Sequence, residues 1–164
     1  MKILVVGGGG REHAIIKSIM KNPKAETVYV LPGNAGMMLD GAICVSINAK
    51  DVPAIVDFAC ASKVDFAIVA PDDPLVLGAV DALEEAGIPC FGPRANAAII
   101  EGSKAFSKDL MKKYGIPTAD YRVFGRAEDA LEYLESAPIP AVVKADGLAL
   151  GKRSEERRVG KECR

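Results

Sequence analysis

The chain carries almost no net charge, −1 from 21 basic and 22 acidic residues in 164. That excludes a nucleic-acid binder whose affinity rests on neutralising phosphates. No apolar run approaches the roughly 18–20 residues of a membrane span. The N-terminus enters a strand pattern at once, with no signal-peptide pattern. There is one histidine, and none of the four cysteines (Cys44, Cys60, Cys90 and Cys163) forms a CxxC pair. That spacing leaves no zinc site. Cys44, Cys60 and Cys90 lie in apolar segments and read as buried thiols of a reducing cytoplasm.

What is present is an alternation of strand and helix patterns. Residues 2–6 (Lys-Ile-Leu-Val-Val) read as strand, and Gly7-Gly8-Gly9-Gly10 follows. A helix pattern over 11–22 carries Ile15, Ile16 and Ile19 at helical spacing. Residues 26–31 read as strand, 32–36 as a Pro-Gly-Asn-Ala-Gly turn, and 42–46 as a short strand. Asp51-Val52-Pro53 opens a helix with a cap and a first-turn proline. Phe66–Ala70 is a near-continuous apolar run, as in a strand covered on both faces. A helix over 74–86 stops at Gly87, and 88–91 is again strand. Hydrophobic residues make up 49% of the chain, enough for a sizeable core. Such alternation predicts an α/β fold with a parallel, helix-flanked sheet.

Beyond Gly92-Pro93 the pattern changes. Helices are expected over 94–100, 103–114 and 126–135, with strands over 119–124 and 141–145. The reading divides the chain into 1–93, 94–152 and a tail, with the boundary near Pro93–Gly102. The tail, 153–164, has eight charged residues in twelve and no core periodicity. Composition reads it as solvated or disordered. Its opening Arg-Ser-Glu-Glu also resembles the in-frame translation of a sequencing adapter, AGATCGGAAGAG. On that reading the tail is non-native and the natural sequence continues past Lys152.

Strand, glycine turn and helix N-terminus together offer unpaired N–H groups and a partial positive charge, a place for an anion. A dinucleotide fingerprint is incomplete here. After Gly8-x-Gly10, His13 stands where the third glycine belongs, and no carboxylate ends the second strand at Val30-Leu31-Pro32. A nicotinamide enzyme is thereby disfavoured. Arg11 at the helix start complements an anion. His13 reads either as a packing residue or as one pointing at the turn. Ligands of open parallel sheets bind outside the strands' carboxyl ends. The turns at 32–36 and Pro71-Asp72-Asp73-Pro74-Leu75 fall at that edge. Asp72 and Asp73 read as ligands for sugar hydroxyls or an amine, or equally as caps of the helix that follows. Later, Glu101-Gly102-Ser103-Lys104 precedes a helix, and Lys144 ends a buried strand before Ala145-Asp146-Gly147-Leu148-Ala149-Leu150-Gly151-Lys152. The spacing Gly147-x-x-x-Gly151-Lys152 is not a Walker A loop. A lysine at the end of a buried strand needs an anion, and the loop could cover nucleotide phosphates.

Taken in order, Gly-Gly-Arg-Glu-His, Pro-Gly-Asn-Ala-Gly, Pro-Asp-Asp-Pro-Leu, Phe-Gly-Pro, Glu-Gly-Ser-Lys and Lys-Ala-Asp-Gly-Leu-Ala-Leu-Gly-Lys resemble the phosphoribosylamine–glycine ligase family of the ATP-grasp superfamily. The resemblance covers residues 1–152. Departures are Asp72 in place of a usual glutamate, Asp73 in place of a small residue, and Gly8 where asparagine is common. The resemblance implies a Rossmann-like pre-ATP-grasp sheet over 1–93, then the incomplete start of an ATP-grasp domain. It implies ligation of glycine to 5-phosphoribosylamine through a glycyl phosphate, with ATP and Mg2+ or Mn2+, in de novo purine synthesis. Gly8, Gly9, Gly10, Arg11, Asn34, Gly36, Asp72 and Pro74 would bind the amino-sugar phosphate. Lys104, Lys144, Gly147, Gly151 and Lys152 would hold ATP. No residue matches the family's metal ligands, and no complete catalytic set is present, so the chain is expected to be an inactive fragment. It is expected to be cytoplasmic and monomeric, to touch neither nucleic acid nor membrane, and to be less ordered over 94–152 than over 1–93. A stand-alone sugar-phosphate binding module and another ATP-grasp enzyme, of the purine or biotin-carboxylase type, remain alternatives.

Overall fold

The computed structural model describes residues 1–148 and 154–157. The chain divides into two compact units, Met1–Gly102 and Ser103–Arg164. The expected boundary region was Pro93–Gly102, and the first unit extends to its far end.

The first unit is built on five strands: β1 (Lys2–Gly7), β2 (Thr27–Pro32), β3 (Ile43–Cys44), β4 (Phe66–Val69) and β5 (Cys90–Phe91). All pair in parallel, in the order β3-β2-β1-β4-β5. Helices α1 (Gly10–Ile19), α2 (Ala35–Leu39), α3 (Val52–Ala61), α4 (Asp72–Val76), α5 (Ala79–Glu85) and α6 (Ala95–Gly102) complete the unit. Alternation along the central strand sends neighbouring side chains to opposite faces. Leu4 and Val6 join Leu31, Ile55, Ala67 and Leu83 in one buried cluster, toward α3 and α5. Val5 joins Ile16, Val28, Val30 and Met37 in the other, toward α1 and α2. The chain moves from β1 outward to β3, then crosses to β4 on the other side of β1. The strand order therefore reverses between β1 and β4, and the crevice at their carboxyl ends is the natural ligand position of such a sheet.

Local chemistry sets the ends of these elements. Asp51 Oδ1 accepts from Ala54 N at 3.1 Å, capping α3 with Pro53 in its first turn. Gly87, at φ +82°, terminates α5. The helix expected over 74–86 is broken in two, because Gly78 takes φ +83° between α4 and α5. Neither Asp72 nor Asp73 caps α4; the N-cap position belongs to Pro71 and has no side-chain bond. The expectation of three buried thiols is corrected: Cys60 is exposed, and Cys44 and Cys90 are half-buried. Cys60 lies on the outer side of α3, whose buried residues are Ile55 and Ala59. Desolvation, then the charge of Glu84, pushes the Cys90 thiol up to about 11.

The second unit contains α7 (Lys104–Lys113), α8 (Ala127–Ser136), β6 (Ala141–Lys144) and β7 (Ser154–Arg157). Residues 119–124 do not form the expected strand. They have no partner strand among the described residues. The segment is instead tied to α7 by side chains: Lys108 Nζ reaches Thr118 Oγ1 at 2.6 Å and Ala119 O at 2.8 Å. The Tyr121 hydroxyl also donates to Asp109. β6 is not the buried strand expected, since Val142 is 54% exposed and no described element covers its faces. The first third of the charged tail pairs as β7, antiparallel to β6, with Val142 opposite Glu156. A backbone ladder needs no apolar periodicity, so composition did not reveal it. Residues 158–164 of that tail lie outside the described residues. Among the described residues no helix is long and apolar enough to cross a membrane.

Candidate functional site

Gly9 is the N-cap of α1, so the helix starts one residue earlier than its periodicity suggests. Gly7 takes φ +129°, a conformation that suits only glycine, and turns the chain out of β1. A side chain there would also meet Glu12 Cγ at 2.5 Å and Pro71 Cγ at 2.9 Å. Glu12 folds back beneath this turn. It is only 4% exposed, and its Oε2 accepts from Gly9 N at 2.7 Å. This is one half of a capping box; glycine has no side chain to supply the other. Oε1 of Glu12 is buried with no partner.

The 32–36 turn docks onto the glycine turn. Asn34 Nδ2 donates to Gly8 O at 2.9 Å, while its Oδ1 accepts from Met37 N at 3.0 Å and caps α2. Gly33 N donates to Gly7 O at 3.2 Å. Gly36 leaves room for the His13 ring, whose Cε1 lies 2.8 Å from where a Cβ would stand. His13 Nε2 meets Asp40 Oδ2 at 2.6 Å, with Lys17 Nζ 3.4 Å from the same oxygen. The His13 hydrogen bond, aided by Lys17, holds the Asp40 carboxyl below its usual value. His13 is therefore a brace between α1 and α2.

At the reversal point between β1 and β4 lies an open cleft of about 250 Å³. Its lining includes Arg11, Ala70, Asp72, Leu75, Ala97 and Glu101. Among the described residues, no side chain pairs with Arg11, Asp72 or Glu101. One guanidinium and two carboxylates thus face a small space with their bonding capacity free. Of the sequence-predicted binding residues, Arg11 and Asp72 come together here. Gly8, Asn34 and Gly36 build the adjoining turn, and Gly9 and Gly10 are exposed at the helix start. Pro74 is fully buried and packs in the core. Asp73 turns aside to pair with Lys50 Nζ at 2.6 Å. The contribution of α6, with Glu101 on its last turn, was missed. In the sequence, Glu101 belongs to the Glu-Gly-Ser-Lys run that precedes the next helix.

In the second unit, Asp146 sits at the N-terminus of α7. It accepts from Lys104 N at 2.6 Å, Ala105 N at 3.2 Å and Ser103 Oγ at 3.0 Å. Ser103 Oγ in turn caps α7 through Phe106 N at 3.1 Å. These amides, led by that of Ala105 and joined by the Ser103 hydroxyl, hold the Asp146 carboxyl below its usual range. Lys104 Nζ donates to Gly147 O at 2.7 Å. Lys144 ends β6, exposed and unpaired among the described residues. Lys104 is thus tied to Gly147, on the turn that follows Lys144 in the chain. Gly151 and Lys152 lie outside the described residues. The donor set suits an anion held by ammonium groups, as nucleotide phosphates would be. The described residues include no cluster of three or more His, Cys, Asp or Glu side chains for a metal ion.

Comparison with known proteins follows the same division. Residues 1–101 match the family model for the phosphoribosylglycinamide synthetase N domain, and residues 102–157 that for its ATP-grasp (A) domain. The phosphoribosylamine–glycine ligase of Listeria monocytogenes serotype 4b (strain F2365) is 53% identical over 152 residues, covering 93% of this chain and 36% of the relative. That of Escherichia coli (strain K12) is 52% identical over 153 residues, with the same coverage. The crystal structure of the Thermotoga maritima phosphoribosylamine–glycine ligase superposes with a TM-score of 0.71 at 30% identity, over 95% of this chain and 36% of that one. The chain spans about a third of the length of the curated relatives it matches. With both family models matched in order, from the glycine turn through β7, the chain belongs to the phosphoribosylglycinamide synthetase family.

Proposed function

We propose that this chain supplies the amino-sugar phosphate site, and the opening of the ATP site, of a phosphoribosylamine–glycine ligase. The reaction joins the carboxylate of glycine to the amine of 5-phosphoribosylamine, with ATP converted to ADP and phosphate. The observation that carries this reading is the cleft at the β1/β4 reversal point, which is lined by Arg11, Asp72 and Glu101. Its chemistry is dipolar. Arg11 suits the phosphate, and the two carboxylates suit the hydroxyl and amine groups of the ribosylamine. Asn34 and Gly36 hold the neighbouring turn, so they act on the ligand by shaping its pocket. Gly9 and Gly10 leave the backbone open to close approach.

ATP, when bound, would supply the leaving group that activates the glycine carboxylate. Lys104 and Lys144 would hold its phosphates by charge, with Gly147, Gly151 and Lys152 on the loop that follows. No metal-binding cluster exists among the described residues, and no step through a metal is assigned to them. What these residues contribute is positioning and charge, the usual bulk of catalysis in such transfers. The 164-residue chain by itself is expected not to turn over.

A chimera tests this. Residues 1–152 replace the matching segment of the Escherichia coli ligase, and glycinamide ribonucleotide formation is followed. Activity is expected, and Arg11→Gln and Asp72→Asn in the chimera should each raise the KM for phosphoribosylamine. A folded chimera that forms no product contradicts the proposal.

A further inference from the structure

A glycine turn leading into a helix N-terminus ordinarily binds phosphate. Here Glu12 changes that. Its carboxylate already occupies Gly9 N, the first free donor of α1, at 2.7 Å. Glu12 is only 4% exposed, and its second oxygen is buried with no partner. The whole side chain lies beneath the turn, against the positions where Cβ atoms of Gly7 and Gly9 would stand. The turn therefore already holds a carboxyl group of its own where an anion would otherwise settle. The cleft begins beside this turn: Pro71, whose Cγ lies 2.9 Å from where a Cβ of Gly7 would stand, is flanked in sequence by the lining residues Ala70 and Asp72, and Arg11 directly precedes Glu12.

We propose that Glu12 is a specificity-determining residue, one that bars phosphate from the N-terminus of α1 and leaves Arg11 to take the anionic end of the ligand. The hydroxyl and amine end is thereby directed toward the turn and its carboxylates. Glu12 acts through its field and through its grip on Gly9, and need not touch the ligand. The inference rests on the reading of the cleft as a sugar-phosphate site, but its test separates the two.

Backbone amide resonances of the whole chain are followed in two titrations. Inorganic phosphate should leave the Gly9 and Gly10 amides of the unaltered chain unmoved. In Glu12→Gln, whose amide oxygen still accepts from Gly9 N, phosphate should shift those amides and bind about tenfold more tightly. That is a modest fraction of the effect of one unit charge a few ångströms away at an effective dielectric of about 20. Phosphate shifting Gly9 and Gly10 in the unaltered chain overturns the proposal without needing any variant to fold. So does a folded Glu12→Gln with unchanged phosphate affinity. Ribose 5-phosphate is the second probe. If it moves none of Asp72, Ala97 or Glu101, the reading of the cleft fails, whereas the phosphate arm still decides the role of Glu12.

Discussion

The four consecutive glycines should respond very differently to alanine. At Gly7 the backbone has φ +129°, and a Cβ would stand 2.5 Å from Glu12 Cγ and 2.9 Å from both Glu12 Cδ and Pro71 Cγ. A non-glycine residue in such a conformation costs about 1–3 kcal/mol. Overpacking adds about 1–3 kcal/mol more. Glu12 cannot simply swing away, because it is buried and holds Gly9 N. Gly7→Ala should therefore destabilise the first unit by about 2–6 kcal/mol. For a unit of about a hundred residues, at roughly 4–8 °C per kcal/mol, this lowers Tm by at least about 8 °C. At Gly10, by contrast, a Cβ meets nothing within 4 Å. It is the first residue of α1, so Gly10→Ala should stabilise by roughly 0.4–1 kcal/mol through backbone entropy and helix propensity. The assay is urea unfolding followed by circular dichroism, with both variants beside the unaltered chain. Gly10→Ala in addition separates fold from function, because any loss of sugar-phosphate binding in a stabilised variant is a ligand effect. A neutral Gly7→Ala, or equal destabilisation at both positions, refutes the reasoning.

Three further outcomes follow from the packing and the charges. Asp146 has a depressed folded-state pKa, so its contribution is present above the ordinary value of 3.8 and is lost as pH falls through the lower folded value; the protection of the Lys104 and Ala105 amides relative to their intrinsic exchange rates should fall on acidification below that range, and Asp146→Ala should show the same loss of protection at neutral pH. Asp40 is lowered chiefly by its bond to His13, so His13→Ala should raise the Asp40 titration midpoint toward 3.8 in a carboxyl-resolved NMR titration; an unmoved midpoint counts against the brace. Ile55→Ala removes a fully buried side chain and should cost about 2–5 kcal/mol in urea unfolding, whereas Val142→Ala on the exposed β6 should cost under ~1 kcal/mol; equal costs would contradict the assigned core.

Much of the first unit was legible because its signals are local and mutually consistent. The apolar run 2–6, the glycines and the isoleucines at helical spacing specify strand, turn and helix without reference to distant residues. Asp51 before Pro53, and Gly87 after the last helical residue, are end signals of the same kind. What was not legible depends on conformation or on partners. Gly78 breaks a helical pattern that Leu75, Ala79, Val80 and Leu83 otherwise sustain, and only its positive φ reveals the break. Residues 119–124 have strand-like composition, but a strand exists only where another pairs with it. That Arg11 and Asp72 line the same cleft was legible because each follows a strand at the sheet's carboxyl edge. Glu101 was missed because it reaches the cleft from α6, whose docking is a tertiary fact. Glu12 was missed because a charged residue early in a helix reads as solvated, and its burial under the turn follows only from the space that Gly7 and Gly9 leave open.

We propose that the cleft between the β1 and β4 ends holds a phosphoribosyl ligand. The most direct measurement is the structure of the 164-residue chain, crystallised or mapped by NMR, with ribose 5-phosphate bound. The phosphate is expected on Arg11 and the sugar hydroxyls at Asp72 and Glu101. A ligand seated instead on the amides of Gly9 and Gly10, or one that leaves Arg11, Asp72 and Glu101 untouched at saturation, would contradict it.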